Sequence, residues 1–308
     1  MDRSELTEID LRDGADRATD LSGIGCISVI LPTKDRADLL GHQLDALVEQ
    51  EYAGRWELLV VDNGSSDDTA DVVRRYEDRL PVRHVFADAR ASVSYARNVG
   101  AGVADGDYLI FIDDDDIVLP GWLAAMGAAA ERSDIVRGCD RPVHRGPDGQ
   151  DEVGADKEGL NYPFYFLPSM SCANSGLRAD LFNQTGGFSE RYTRLMDTDL
   201  FWRAQMASGE TPEFVPDAVV LYRLRSGVRA IWRQGYADSK EVPALYRDYR
   251  SHGMKRSPLM DHLRGWKRVV TRSPRWIRTY DGREELATHL GWLLGRMAGS
   301  IRQHVFCL

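Results

Sequence analysis

The chain has 308 residues, 43% of them hydrophobic and 28% charged, which is ordinary for a folded globular protein and far from the composition of a disordered one. The length allows one large α/β domain with an appendage but would cramp two full domains. The formal net charge of −9 hides an asymmetry, because residues 221–280 carry 15 Lys and Arg against 4 Asp and Glu. Such a segment is suited to anionic phosphates or an anionic lipid surface, or is simply a solvated basic face.

No apolar run is long enough to span a bilayer, and the acidic N-terminus lacks the order of a secretory signal, so a cytoplasmic protein is expected, with peripheral contact at the inner membrane face through residues 221–280 left open. The four cysteines form no CxxC pair and read as reduced, mostly buried thiols. No nucleic-acid partner is expected.

Residues 1–24 show no sustained apolar period and read as a mobile lead-in. From Cys26 the pattern becomes regular. Cys26 to Leu31 is an apolar run stopped by Pro32, and Leu39, Leu40, Leu44, Leu47 and Val48 follow at helical spacing. The unit recurs with a strand over Trp56 to Val61, a turn at Asp62–Ser66 and a helix over Asp68 to Tyr76. A third strand over Val82 to Phe86, a third helix over Ser94 to Val103 and a fourth strand over Tyr108 to Ile112 complete the pattern. Apolar strands alternating with amphipathic helices predict a mostly parallel sheet covered on both faces, with ligands beyond the strand C-termini. Thr33-Lys34-Asp35, Asp62-Asn63 and Asp113–Asp116 all follow strands, so they converge on one rim.

Four consecutive carboxylates at Asp113–Asp116 repel one another unless a cation neutralises them. Oxygen-only ligands beside a phosphate site favour Mg²⁺ or Mn²⁺. One of the four acids can instead cap the helix expected near Pro120.

Together these segments resemble the inverting family 2 glycosyltransferases with the GT-A fold. The resemblance covers about residues 26–225. Val29 to Arg36 resembles the opening strand and nucleotide loop, with Asp35 where Asn is usual. Val60 to Asp67 resembles the second motif, with Asn63 where a second Asp is common. Ala96 to Gly100 resembles the helix start after the third strand, and Asp113 to Asp115 the DXD motif. Gly186-Gly187-Phe188 and Met196 to Leu200 with Arg203 resemble the acceptor-side segment, with Met196 where Glu is usual.

The resemblance implies a Rossmann-like GT-A domain over residues 25–225, followed by a basic, mainly helical extension over 226–308. It implies a metal-dependent transfer of one sugar from a nucleoside-diphosphate sugar, UDP or dTDP favoured, to an acceptor hydroxyl on a glycan, a lipid-linked or a small molecule. Asp62 would bind the base edge, with Pro32, Thr33, Asp35, Arg36, Asn63, Arg97, Asp113 and Asp114 around the nucleotide. Asp115, with Asp113, would hold Mn²⁺ or Mg²⁺ between the phosphates. Asp197 is the implied general base. Asn174, which equally suits a plain turn role, and Trp232 are assigned to the sugar and acceptor pocket together with Asp199, which also suits a helix cap through Arg203.

Tyr162, Phe164, Tyr165 and Phe166 read as core rather than as a sugar platform. The apolar stripe Leu286, Leu290, Leu293, Leu294, Met297, Ile301 and Val305 predicts a C-terminal helix packed on the body, with a homodimer or a membrane contact left open. A nucleotidyltransferase and an inactive carbohydrate-binding GT-A protein are the alternatives. The missing Gly-rich phosphate loop counts against the first, and retention of all the key carboxylates against the second. A dehydrogenase is excluded for want of GxGxxG.

Overall fold

The structure is a computed structural model that describes residues 23–146, 149–157 and 159–307. The expected lead-in at 1–24 therefore lies, up to residue 22, outside the described residues.

The first half repeats strand and helix as β1 (Ile27–Thr33), α1 (Ala37–Val48), β2 (Trp56–Asp62), α2 (Thr69–Arg74), β3 (Val82–Phe86), α3 (Val93–Gly102) and β4 (Tyr108–Ile112). Strands β1 and β4 are buried along their whole length, as parallel strands covered on both faces must be. They pair in the parallel order β3-β2-β1-β4. Alternate residues serve opposite faces: Ile30, Leu59 and Phe111 enter one core, and Val29, Leu31, Leu58 and Val60 the other.

Pro32 does not end β1 as its sequence position suggests. The ladder to β4 stops at Ile30, so only β2 flanks Pro32 and its missing N–H is not required on the other side. The strand therefore carries Thr33 to the rim. Helix α3 lies close over these strands because residue 100 is glycine; a Cβ there would meet Val61 at 2.8 Å and Ile30 at 2.9 Å.

The second half departs from the parallel pattern. It comprises β5 (Ile117–Val118), α4 (Trp122–Ala130), β6 (Ile135–Arg145), β7 (Asp151–Val153), β8 (Asn174–Arg178), α5 (Ala179–Thr185), α6 (Met196–Ser208) and β9 (Glu213–Arg223). Strand β8 runs antiparallel to both β4 and β6, β9 runs parallel to β6 and antiparallel to β5, and β7 pairs with β6 outside the main path. The result is a mixed sheet of order β3-β2-β1-β4-β8-β6-β9-β5.

Three helices follow: α7 (Val228–Tyr249), α8 (Leu259–Trp276) and α9 (Tyr280–Gln303). Helix α9 packs on the body as expected, but glycines govern the contact. Gly291, Gly295 and Gly299, four residues apart, bring it against the backbone of α7, where a Cβ at Gly291 would lie 2.8 Å from the Trp232 carbonyl. Phe164 and Phe166 pack edge-on against Trp202 in the core, whereas Tyr162 and Tyr165 are exposed. All four cysteines are free and buried. Among the described residues no helix is long and apolar enough to cross a membrane.

Candidate active site

The acidic segment that follows β4 is held at both ends. Gln43 of α1 accepts from the Val118 N–H at 3.0 Å and donates to the Asp113 carbonyl at 3.2 Å. From β9, the Arg223 N–H donates to Asp116 at 2.9 Å and its side chain to the Asp115 carbonyl at 3.3 Å.

The four carboxylates take different environments. Asp113 pairs with the buried Arg97 at 2.6 Å and Asp115 with Arg36 at 3.2 Å. Asp116 is turned into the protein, where burial raises its pKa well above the usual carboxylate range. Burial also lifts Asp114 to about 6, reinforced by the neighbouring Asp115 and Asp113 charges.

Asp113, Asp114 and Asp115 line one cavity of about 420 Å³ together with Pro32, Thr33, Arg36, Asn63 and Arg97. Asp113 and Asp115, both on this space, could offer a hard divalent cation two carboxylates, since Asp115 spends only one oxygen on Arg36. No group of three His, Cys, Asp or Glu side chains among the described residues is placed to hold a metal ion. A cation here would take its remaining ligands from a bound diphosphate.

Two expected nucleotide residues do not line this cavity. Asp35 adopts a left-handed backbone (φ 49°), a conformation that Asp tolerates, and its carboxylate accepts from the Ser66 N–H at 2.7 Å and hydroxyl at 3.0 Å. It ties the first loop to the second. Asp62 is turned inward, with 5% of its side chain exposed, accepting from the Ser65 N–H at 2.7 Å and facing His84 at 3.4 Å. Asn63 reaches the cavity wall while latching the loop after β3: it donates to the Ala87 and Arg90 carbonyls and accepts from the Ser92 N–H.

Helix α6 brings the second set of groups. The positive φ of Gly186 and Gly187 turns the chain after α5, and Asn98 of α3 clamps the Phe188 backbone through both its N–H and its carbonyl. The first residues of α6 then stand between two cavities. Met196 lines the one described above; Asp197 lines a neighbouring cavity of about 320 Å³. Arg194 borders both.

Burial pushes the Asp197 carboxyl up to about 6, and Asp113 adds to the rise. The Thr198 N–H, donated to it at 2.8 Å, and Arg97 oppose the shift. A carboxylate poised there is ionised at neutral pH yet basic enough to accept a proton.

The 320 Å³ cavity is strongly polar. Asp140 pairs with Arg137, and Asp238 of α7 pairs with Arg194 at 2.6 Å. The other Asp140 oxygen is buried without a hydrogen-bond partner. Through Gln234 and Asp238 the cavity adjoins a larger one of about 720 Å³ that reaches Tyr280, Glu284 and Glu285 of α9.

Three expected pocket residues line none of these cavities. Asn174, at the start of β8, is fully buried, accepts from the Trp122 indole at 2.8 Å and donates to the Cys139 and Ala218 carbonyls. It joins β8 to α4, β6 and β9. Asp199 is buried, paired with Arg203 at 2.7 Å and bonded by the Tyr249 hydroxyl at 2.6 Å, which locks α6 to α7. Trp232 stacks on Tyr236, and its carbonyl packs against α9; its helix sends Gln234 and Asp238 to the cavity instead.

Arg194, Arg225, Asp238 and Lys157 were not anticipated as site residues. Nothing local marks them, since the partner of Arg194 lies 44 residues away on α7.

The sequence profile of "Glycosyl transferase family 2" matches residues 28–186, just over half of the chain. Validoxylamine A glucosyltransferase of Streptomyces hygroscopicus subsp. jinggangensis is 39% identical over 123 residues, covering 38% of this chain and 29% of that protein. Hyaluronan synthase of Pasteurella multocida is 34% identical over 98 residues, 32% of this chain and 10% of its own length. These matches thus span less than a third of either relative.

Among solved structures, the mannosyltransferase PcManGT of Pyrobaculum calidifontis, in complex with GDP-Man and Mn²⁺, aligns with a TM-score of 0.60 at 18% identity, over 94% of this chain and 90% of that one. TarS of S. aureus in complex with UDP-GlcNAc aligns with a TM-score of 0.54 at 16% identity, over 91% and 92%. At such identities the structures bear on the fold, and the profile match bears on the family: the chain belongs to glycosyl transferase family 2 and has the GT-A fold.

Proposed function

We propose that the protein transfers a sugar from a nucleoside diphosphate to an acceptor hydroxyl by a single, inverting displacement that uses a divalent metal. The observation that carries this reading is the placement of Met196 and Asp197, consecutive residues on opposite sides of the wall between two polar cavities. The 420 Å³ cavity, with three carboxylates and the cations Lys34, Arg36 and Arg97, suits a metal diphosphate. The 320 Å³ cavity suits a hydroxylated acceptor.

In this reading Asp197 takes the proton of the acceptor hydroxyl as its oxygen bonds to the anomeric carbon, while the bond from that carbon to the diphosphate oxygen breaks on the far side. One displacement inverts the anomeric centre. Arg97, held at 2.6 Å by Asp113, and Arg36, held by Asp115, are positioned to compensate the departing charge. A Mg²⁺ or Mn²⁺ ion held by Asp115 with Asp113 would supply Lewis-acid stabilisation of the same diphosphate. PcManGT with GDP-Man and Mn²⁺ and TarS with UDP-GlcNAc give precedent for such donors on this fold. With Asp62 turned inward, the base is not specified further.

The test is ligand-dependent melting with UDP, dTDP and GDP, each with and without Mn²⁺, followed by NMR of the product formed from the matching α-linked donor. A metal-dependent rise in melting temperature and a β-linked product are expected. No stabilisation by any nucleotide with metal, or an α-linked product, overturns the reading.

A further inference from the structure

Helix α6, which carries Asp197 as its second residue, is held at its start from outside. Leu195 stands at the N-cap position and has no side-chain oxygen to offer, whereas α3 and α9 are capped by their own Ser92 and Thr279. The acceptor comes from Glu241 of α7. One of its oxygens accepts from the Thr193 N–H at 2.9 Å and the Thr193 hydroxyl at 2.5 Å. The other accepts from the N–H groups of Arg194 at 2.9 Å and Leu195 at 3.1 Å. Four donors fill the capacity of a carboxylate, and all four belong to the three residues that lead into Met196 and Asp197.

Leu195 carries this constraint into the helix, because its carbonyl accepts the Asp199 N–H at 3.0 Å and so opens the α6 ladder. Asp238, one turn before Glu241 on α7, holds the Arg194 side chain at 2.6 Å. The clamp is itself anchored. Helix α7 is pressed against Gly291 of α9, and its Ser239 hydroxyl donates to the Gly291 carbonyl at 3.2 Å, which fixes α7 along its axis.

We propose that Glu241 is the positioning residue for Asp197: by tying residues 193–195 to α7 it sets where the first turn of α6 presents the Asp197 carboxylate to the acceptor cavity. This inference rests on the reading of Asp197 as the base. Glu241 lines neither the 420 Å³ nor the 320 Å³ cavity, so it acts through the chain it holds. The effect is large because a catalytic group displaced by about 1 Å can cost about 100-fold in rate. Tyr249 separately bonds Asp199 at 2.6 Å, so loss of the Glu241 clamp frees the start of α6 without detaching the helix.

The experiment compares wild type, E241A, E241Q, D197N and E241A/D197N at a temperature where all are folded. Release of nucleoside diphosphate from UDP-GlcNAc and from GDP-Man with Mn²⁺ is followed, with water standing in for the acceptor. Hydrogen exchange over residues 193–199 is measured without ligand. E241A should lower kcat roughly 10- to 100-fold while the donor KM stays the same. E241Q keeps one carbonyl oxygen and should fall between E241A and wild type. In the D197N background E241A should cost nothing further, because a positioning residue acts only through the group it positions. Exchange over residues 193–199 should quicken about tenfold in E241A, as expected for lost bonds to a carboxylate. Wild-type kcat in E241A, the same fold-loss with and without Asp197, or unchanged exchange overturns the proposal. Wild-type turnover by D197N, with quickened exchange in E241A, would instead reject Asp197 as the base, so the two failures are distinguishable.

Discussion

The two sides of the site are built differently. The proposed donor side takes its groups from the ends of parallel strands: Thr33 at the end of β1, Asn63 after β2 and Asp113 to Asp115 after β4, each placed by a buried strand whose register leaves little choice. The proposed acceptor side gathers Arg137 and Asp140 from β6, Asp197 from α6, Tyr222 from β9 and Asp238 from α7, with ion pairs between Arg137 and Asp140 and between Asp238 and Arg194, rather than from one sheet rim. The first construction needs only local sequence signals to be recognised. The second needs tertiary contacts.

The largest expected effect falls on the donor side. Asp115→Ala should abolish turnover and remove the response of nucleotide affinity to Mn²⁺, measured by titration calorimetry; excess EDTA should do the same to wild type. Undiminished Mn²⁺-dependent affinity in the variant would take Asp115 out of the site.

On the acceptor side, Asp238→Asn breaks the 2.6 Å pair that holds Arg194 between the cavities. A charged hydrogen bond of about 1.5–3 kcal/mol is lost, so the acceptor KM should rise roughly 10- to 100-fold, with the donor Kd little changed. An equal loss in both would mean that the two sides are not separable.

The difference between the sides also explains what the sequence disclosed. The strand-helix alternation, the shared rim and the carboxylates of the acidic segment were legible because period and strand ends are local properties. Asp62 and Asp35 fall at the expected rim, but no local pattern shows that the Ser65 and Ser66 N–H groups take their carboxylates. Asn174, Asp199 and Trp232 were read by position within motifs, whereas their roles come from distant partners: Trp122 for Asn174, Tyr249 for Asp199, and the close approach of α9 for Trp232. The mixed second half of the sheet was hidden for the same reason, because pairing direction is a non-local choice.

A smaller effect, on stability alone, follows from the Asn174 correction. Asn174→Ala leaves the Trp122 indole and two carbonyls without their buried partner, at a cost of about 2–3 kcal/mol. The melting temperature should fall while nucleotide affinity at a temperature where the protein is folded stays the same. A lost affinity with an unchanged melting temperature would return Asn174 to the pocket.

The central claim is that Asp197 accepts the acceptor's proton, and its most direct test is the single-turnover rate of wild type and Asp197→Asn as a function of pH. Burial raises this carboxyl to about 6, so the reactive, deprotonated form is lost below that pH. The wild-type rate should be level above about pH 6 and fall about tenfold per unit below it. Asp197→Asn should be slower by about 10²–10⁴-fold, without that acid limb, and should bind nucleotide and metal as wild type does. A variant that transfers sugar at the wild-type rate with the same acid limb would contradict the account.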